Sequence, residues 1–129
     1  MGKRIVVPVL EDKGLDSKLS AHFGRSPYFA VVDIDESGEV IDVKVEPNRG
    51  EHFGGGRKAR DIVLAYKPDS VIVLNIGPGA IAGLREAGVK VFRAKASSLR
   101  ETVLSYWRGE LEELDEACEN PRHEGMHKL

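Results

Sequence analysis

Residues 5–10 read Ile-Val-Val-Pro-Val-Leu without a polar interruption. A run this short cannot span a bilayer, which needs about 20 apolar residues. It is also too continuous for a strand with one wet face. It demands cover on both sides, as for a strand near the middle of a sheet with a layer above and a layer below. That one segment pushes the chain toward a layered α/β domain.

The rest of the chain supplies the layers. Tyr28 to Ile34 predicts a second strand, and the cluster Asp35-Glu36-Ser37-Gly38 a turn. Residues 40–46 alternate, with Ile41, Val43 and Val45 on one face and Asp42, Lys44 and Glu46 on the other, as in a half-exposed edge strand. Ala59, Ile62, Val63 and Tyr66 follow the i, i+3, i+4, i+7 spacing of an amphipathic helix that Pro68 stops. Ser70 to Leu74 predicts a buried strand. A helix with Ala80, Ile81 and Leu84 inward follows, and Gly88 closes it. Val89 to Phe92 predicts a fifth strand. Ser98-Leu99-Arg100-Glu101 matches a capping box, with Leu99, Val103, Leu104 and Trp107 as the buried stripe of the helix it opens and Gly109 as its end. Leu111, Leu114 and Cys118 are spaced as the inner face of a last short helix. The expected architecture is a three-layer α/β fold on a mixed five-stranded sheet with one strand antiparallel. Residues 1–109 form its domain, and residues 110–129 form a short acidic helix and a flexible tail.

Composition narrows the function classes. The 129 residues suit one domain, and 41% are hydrophobic, enough for a real core. The net charge is −2, with seven acids and three bases in residues 108–129, so the tail carries −4 and the body +2. Neither value is the basic excess of a nucleic-acid binder. No membrane span or signal peptide is expected, and the chain reads as cytoplasmic. One cysteine, Cys118, excludes an internal disulfide and an all-cysteine metal or iron–sulfur site within one chain.

Counting turns from strand to strand brings three polar loops to one rim, provided that strand two opposes strand one. They are residues 11–26, 47–56 and 75–79. In open α/β sheets ligands sit beyond the carboxyl ends of parallel strands. A connection as long as 11–26 is uncommon unless functional, and Leu15, Leu19 and Phe23 within it have the spacing of a helical turn.

His22 and His52 lie on these loops. Imidazole is the commonest side-chain metal ligand, although a lone loop histidine is more often solvated. Gly24 and the run Gly54-Gly55-Gly56 permit close approach by a bulky ligand, or simply give a flexible loop. The run is not a P-loop, because Arg57-Lys58 follows it. Amides after Gly77 can hold an anion, or the Gly77-Pro78-Gly79 turn is only tight geometry. Asn75 either meets a ligand or caps the turn. Cys118, His123 and His127 have the look of three metal ligands, yet burial explains Cys118 without metal. No base-and-orienter set surrounds Ser17, Ser20 or Ser26, and Asp33 and Asp35 belong to the end of the sheet away from the rim. Neither hydrolytic nor nuclease chemistry is expected.

The segment His22-Phe23-Gly24-Arg25-Ser26-Pro27-Tyr28-Phe29 closely resembles the dinitrogenase iron–molybdenum cofactor biosynthesis family, in its NifX-like, stand-alone form. The likeness runs from Ile5 to about Trp107. It includes the opening strand, the Gly-rich loop before the first helix, Asn75-Ile76-Gly77-Pro78-Gly79-Ala80 and Gly88-Val89-Lys90-Val91-Phe92. The resemblance implies a ribonuclease-H-like, nitrogenase-accessory-factor-like fold without nuclease activity, and a cluster-binding histidine at His22. Cys118, His123 and His127 lie beyond it and inherit nothing.

The expectation is a non-enzymatic carrier for an iron–sulfur or iron–molybdenum-type cluster. His22 is the metal ligand, and Phe23, Gly24, Arg25, His52, Gly54, Gly55, Asn75 and Gly77 surround the cofactor. Its partners would be cluster-assembly proteins or an acceptor apoprotein. The rivals are a binding module for a small anion or nucleotide on the same rim, and a scaffold that docks an assembly partner.

Overall fold

The computed structural model describes residues 2–48 and 56–115. Within them the chain forms β1 (Lys3–Val9), a 3-10 turn (Gly14–Asp16), β2 (Tyr28–Ile34), β3 (Val40–Pro47), α1 (Gly56–Ala65), β4 (Ser70–Val73), α2 (Pro78–Glu86), β5 (Lys90–Arg93), α3 (Leu99–Trp107) and β6 (Glu112–Leu114). The strands make one mixed sheet in the order β3-β2-β1-β4-β5-β6. β1, β4 and β5 are parallel, β2 is antiparallel to β1 and β3, and β6 is antiparallel to β5.

The two-sided burial expected of β1 follows from this order. Ile5, Val7 and Val9 join Leu99 and Val103 of α3 in one core, while Val6 joins Ala59 and Val63 of α1 and Ile81 and Leu84 of α2 in the other. All four aliphatic side chains of β1 are fully buried. Each contributes roughly 1.5–3 kcal/mol relative to exposure. Helix boundaries follow local chemistry. Ser98 Oγ accepts from the Glu101 amide at the start of α3, and Gly88 and Gly109 adopt the left-handed conformation after α2 and α3.

Four expectations need correction. The sheet has six strands rather than five, because the segment read as a last helix is β6. Leu111 and Leu114 do not share a helix face. They pack into opposite cores, as an odd spacing in extended chain requires, and the sheet therefore continues past residue 109. Cys118, His123 and His127 lie outside the described residues. On β3 the pairing slips between Asp33 and Ile34, so Ile41 becomes the extra residue of a bulge and is exposed, while Val40, Val43 and Val45 pack inward. On α3 Leu104 and Trp107 are exposed. Thr102 and Tyr106 take their places, with Thr102 Oγ1 donating to the Ser98 carbonyl at 2.8 Å and the Tyr106 and Ser70 hydroxyls 2.9 Å apart. Of Leu15, Leu19 and Phe23, only Leu15 is in a helical turn; Leu19 forms a bridge with Val9.

Candidate functional site at the carboxyl rim of the sheet

The long connection after β1 is not loose. The amide of Leu10 donates to the Lys18 carbonyl at 2.8 Å, that of Ser20 to the Pro8 carbonyl at 3.0 Å, and that of Leu19 to the Ser97 carbonyl at 2.8 Å. These bonds lay residues 17–20 along the end of the sheet. Ser20, nearly fully buried, then turns the chain: its hydroxyl lies 3.2 Å from both the amide and the carbonyl of His22. Phe23 anchors the next step. It is buried with its ring centroid 5.8 Å from that of Phe29. With Phe23 held inward, His22 and Arg25 on either side are exposed.

The second wall is the connection between β4 and α2. Ile76 is buried, while Asn75, Gly77 and Gly79 are exposed. Gly77 is the residue before α2 and supplies no side-chain cap, and Pro78 has no amide hydrogen. The amides of Gly79 and Ala80 in the first turn are therefore free of capping. The two walls border an open cavity of about 900 Å³. His22, Phe23, Gly24, Arg25, Asn75 and Gly77 all line it. His52, Gly54 and Gly55 lie outside the described residues. Asn75 does not cap α2, because Gly77 occupies that position.

Two further residues matter that the sequence reading passed over. Arg60, from the middle of α1, lines the same cavity. Asn48, 4% exposed, donates through Nδ2 to the carbonyls of Gly24 at 3.2 Å and Ser26 at 2.8 Å, and its amide donates to Pro27 at 2.9 Å. It fastens the His22–Arg25 turn from the far side. Arg60 reads from sequence as part of a solvated helix face, and Asn48 as one more polar loop residue after Pro47. The signal that could have found Arg60 is a glycine, Gly83, inside the pattern of α2.

The electrostatics of the cavity are one-sided. Among the described residues, two guanidinium groups and the start of α2 face it, and no lining residue is Asp or Glu. Neither α1 nor α2 has an acidic residue in its first turn. Such a surface favours anions. Among the described residues no group of three or more His, Cys, Asp or Glu could hold a metal ion. Among the described residues, His22 is the imidazole that lines this cavity.

The family model described as dinitrogenase iron-molybdenum cofactor matches residues 3–109. The chain belongs to this family. An uncharacterized protein of Methanocaldococcus jannaschii is 30% identical over 102 residues, 78% of this chain and 86% of its own. The solution structure of a Thermotoga protein described as a candidate NifB is 32% identical, covers 87% of this chain and 93% of that one, and has a TM-score of 0.68. The apo form of the orange protein from Desulfovibrio gigas has a TM-score of 0.74 at 23% identity, over 87% and 92% of the two chains, a likeness of fold. The family match ends before β6, so the sixth strand lies beyond the matched region. No helix among the described residues is long and apolar enough to cross a membrane.

Proposed function

We propose that this protein is a non-enzymatic carrier of an iron–sulfur or iron–molybdenum-type cluster, received from cluster-assembly proteins and passed to an acceptor apoprotein in the cytoplasm. The observation that carries the reading is an exposed His22 at the edge of a cavity of about 900 Å³ whose described lining residues include two arginines and no carboxylate. Membership in the dinitrogenase iron-molybdenum cofactor family supports the class of ligand. A sulfide-bearing cluster is anionic and arrives with most of its metal coordination complete. One imidazole then suffices as a terminal ligand. The amides of Gly79 and Ala80 and the guanidinium of Arg25 balance the charge, and Phe23, Gly24, Asn75 and Gly77 shape the walls. His52, Gly54 and Gly55 belong to the proposal by their place in the chain between β3 and α1. A ribonuclease-H-like reading of the sheet, with its order β3-β2-β1-β4-β5 and β2 reversed, is part of the same proposal.

The test is anaerobic titration with a synthetic iron–sulfur cluster, followed by visible absorption and electron paramagnetic resonance. The expected result is one cluster per chain, with His22→Ala losing it or altering its spectrum. Unchanged binding by His22→Ala overturns the assignment of His22. A second reading, a module for a small anion or nucleotide, draws on the lack of a three-ligand metal site among the described residues. Thermal stabilisation by nucleotides, with none by clusters, selects it.

A further inference from the structure

Arg60 occupies an unusual seat. Its side chain leaves α1 and crosses α2 where Gly83 has no side chain. A Cβ built on Gly83 would stand 2.5 Å from Arg60 Cδ and 3.2 Å from Arg60 Cζ, and closer still to Nη1. Gly83 has helical backbone geometry, so glycine is not needed there for conformation. Inside a helix it is less favourable than alanine. What a side chain at position 83 would disturb is Arg60.

The guanidinium so placed is half-buried and, among the described residues, poorly neutralised. Among the described residues its ion pair is with Asp61 on the same helix, at 3.7 Å from Nε, too long for a hydrogen bond, and Asp61 itself is 61% exposed. An arginine carries five donors in a planar fork, and here Arg60 lines a cavity with no carboxylate among its described lining residues. Arg25, across the cavity, is exposed. The two charges thus approach a bound ligand from different elements, one on the loop after β1 and one on α1.

We infer that Arg60 is the residue that makes the rim cavity prefer multiply charged anions, and that Gly83 is the gap through which it reaches them. This rests on the carrier reading for the identity of the natural ligand, but not for the charge preference itself. Arg60 selects by charge, while His22 selects by its affinity for metal. The preferred ligand class is a compact dianion or higher, with oxygen or sulfur atoms on its surface to accept from the fork.

The experiment uses the full chain and three probes: molybdate, perrhenate and a thiolate-capped iron–sulfur cluster. Molybdate and perrhenate are tetrahedral oxyanions of similar size with two charges and one. Affinities are measured for the wild type, Arg60→Gln, Arg60→Lys, Gly83→Ala and the charge-matched control Arg85→Gln, a residue outside the cavity lining. The wild type is expected to prefer molybdate over perrhenate. Arg60→Gln is expected to weaken molybdate and cluster by about tenfold or more and to shrink the molybdate-to-perrhenate ratio, as loss of a charge-assisted contact predicts. Arg60→Lys should keep part of the ratio, and Arg85→Gln all of it. Gly83→Ala should reproduce the loss while its melting temperature does not fall, because alanine favours the helix. A ratio unchanged in Arg60→Gln overturns the assignment of Arg60, and unchanged affinities in Gly83→Ala overturn that of Gly83. Arg60-dependent binding of molybdate with no binding of the cluster leaves the inference standing and removes the carrier reading. A wild type that binds none of the three overturns both.

Discussion

Asn48 donates its side-chain amide to the carbonyl of Ser26 at 2.8 Å, tying the end of β3 to a turn 22 residues earlier in the chain. The same nitrogen reaches the Gly24 carbonyl at 3.2 Å. Two backbone acceptors beneath the His22–Arg25 turn therefore depend on one buried side chain. Replacing it leaves both without that donor in a place with little water. Asn48→Ala is expected to lower stability by about 1–3 kcal/mol, the usual range for stranding buried polar groups. Urea unfolding measures this. It should also weaken ligand binding at the rim more than a core substitution of equal cost, such as Val103→Ala, because it frees the turn that carries His22. Equal effects of the two variants on binding would reduce Asn48 to a stability role.

At the opposite end of the sheet, Gly38 takes a φ of 89° in the turn before β3 and lies against the indole of Trp107. A Cβ at Gly38 would stand about 2.5 Å from three indole atoms. Gly38→Ala therefore carries both a left-handed backbone penalty of about 1–2 kcal/mol and a displaced ring. Trp107 is the single tryptophan of the chain, so no other indole contributes to the emission that reports on its surroundings. A shifted emission together with a lower melting temperature is the expected outcome. An unchanged spectrum would mean that the indole does not rest on the turn in solution.

The same turn contains the basis of a pH dependence. Asp35 Oδ1 accepts from the Ser37 hydroxyl at 2.7 Å, the Ser37 amide at 2.9 Å and the Glu39 amide at 3.0 Å. The Ser37 hydroxyl first, and then the Glu39 amide, hold this carboxyl below its usual range. A depressed folded-state value stabilises the protein above the unfolded carboxyl value of about 3.9. That contribution is lost as pH falls through the lower folded value. Asp35→Asn should therefore melt lower than the wild type at pH 6, with the gap narrowing below about pH 4 and closing only as pH falls through the lower folded value. Asp35 is a surface residue, so the gap will be small; a gap that widens in acid would contradict the hydrogen-bond assignment.

The sequence carried the central strands well because both of their faces are buried, which leaves an uninterrupted apolar signature at residues 5–9 and 71–73. It carried the meeting of His22 with Asn75 and Gly77 because strand direction follows from turn parity once β2 opposes β1. Ile41 was illegible: a bulge changes which face a residue takes without changing the local pattern. Leu104 and Trp107 were misread because helical spacing permits several stripes, and only contact with β4 and β5 selects the one that contains Thr102 and Tyr106. Arg60 was missed because its role depends on a gap in another helix. What failed in each case is information held by a neighbouring element.

β6 is the sharpest instance, and it tests where the folding unit ends. Glu-Glu-Leu has no strand signature of its own; it pairs with β5 because β5 otherwise presents an open edge. The pairing is anchored at two points. Leu114, 1% exposed, enters the core beside Leu84, Val89 and Val91, and Arg85 Nη1 lies 3.2 Å from Glu113 Oε2. The ion pair is partly exposed and contributes little. The leucine does most of the anchoring, and Leu114→Ala is expected to cost about 2–5 kcal/mol by chemical denaturation. Truncation after Gly109 removes Leu111 and Leu114 from both cores and uncovers the β5 edge. It should cost more than the point variant and promote self-association, visible as concentration-dependent sedimentation. Arg85→Gln should change stability by less than about 1 kcal/mol. A truncated chain as stable as the full one would place β6 outside the cooperative unit, and the matched region, residues 3–109, would then be the whole of the fold.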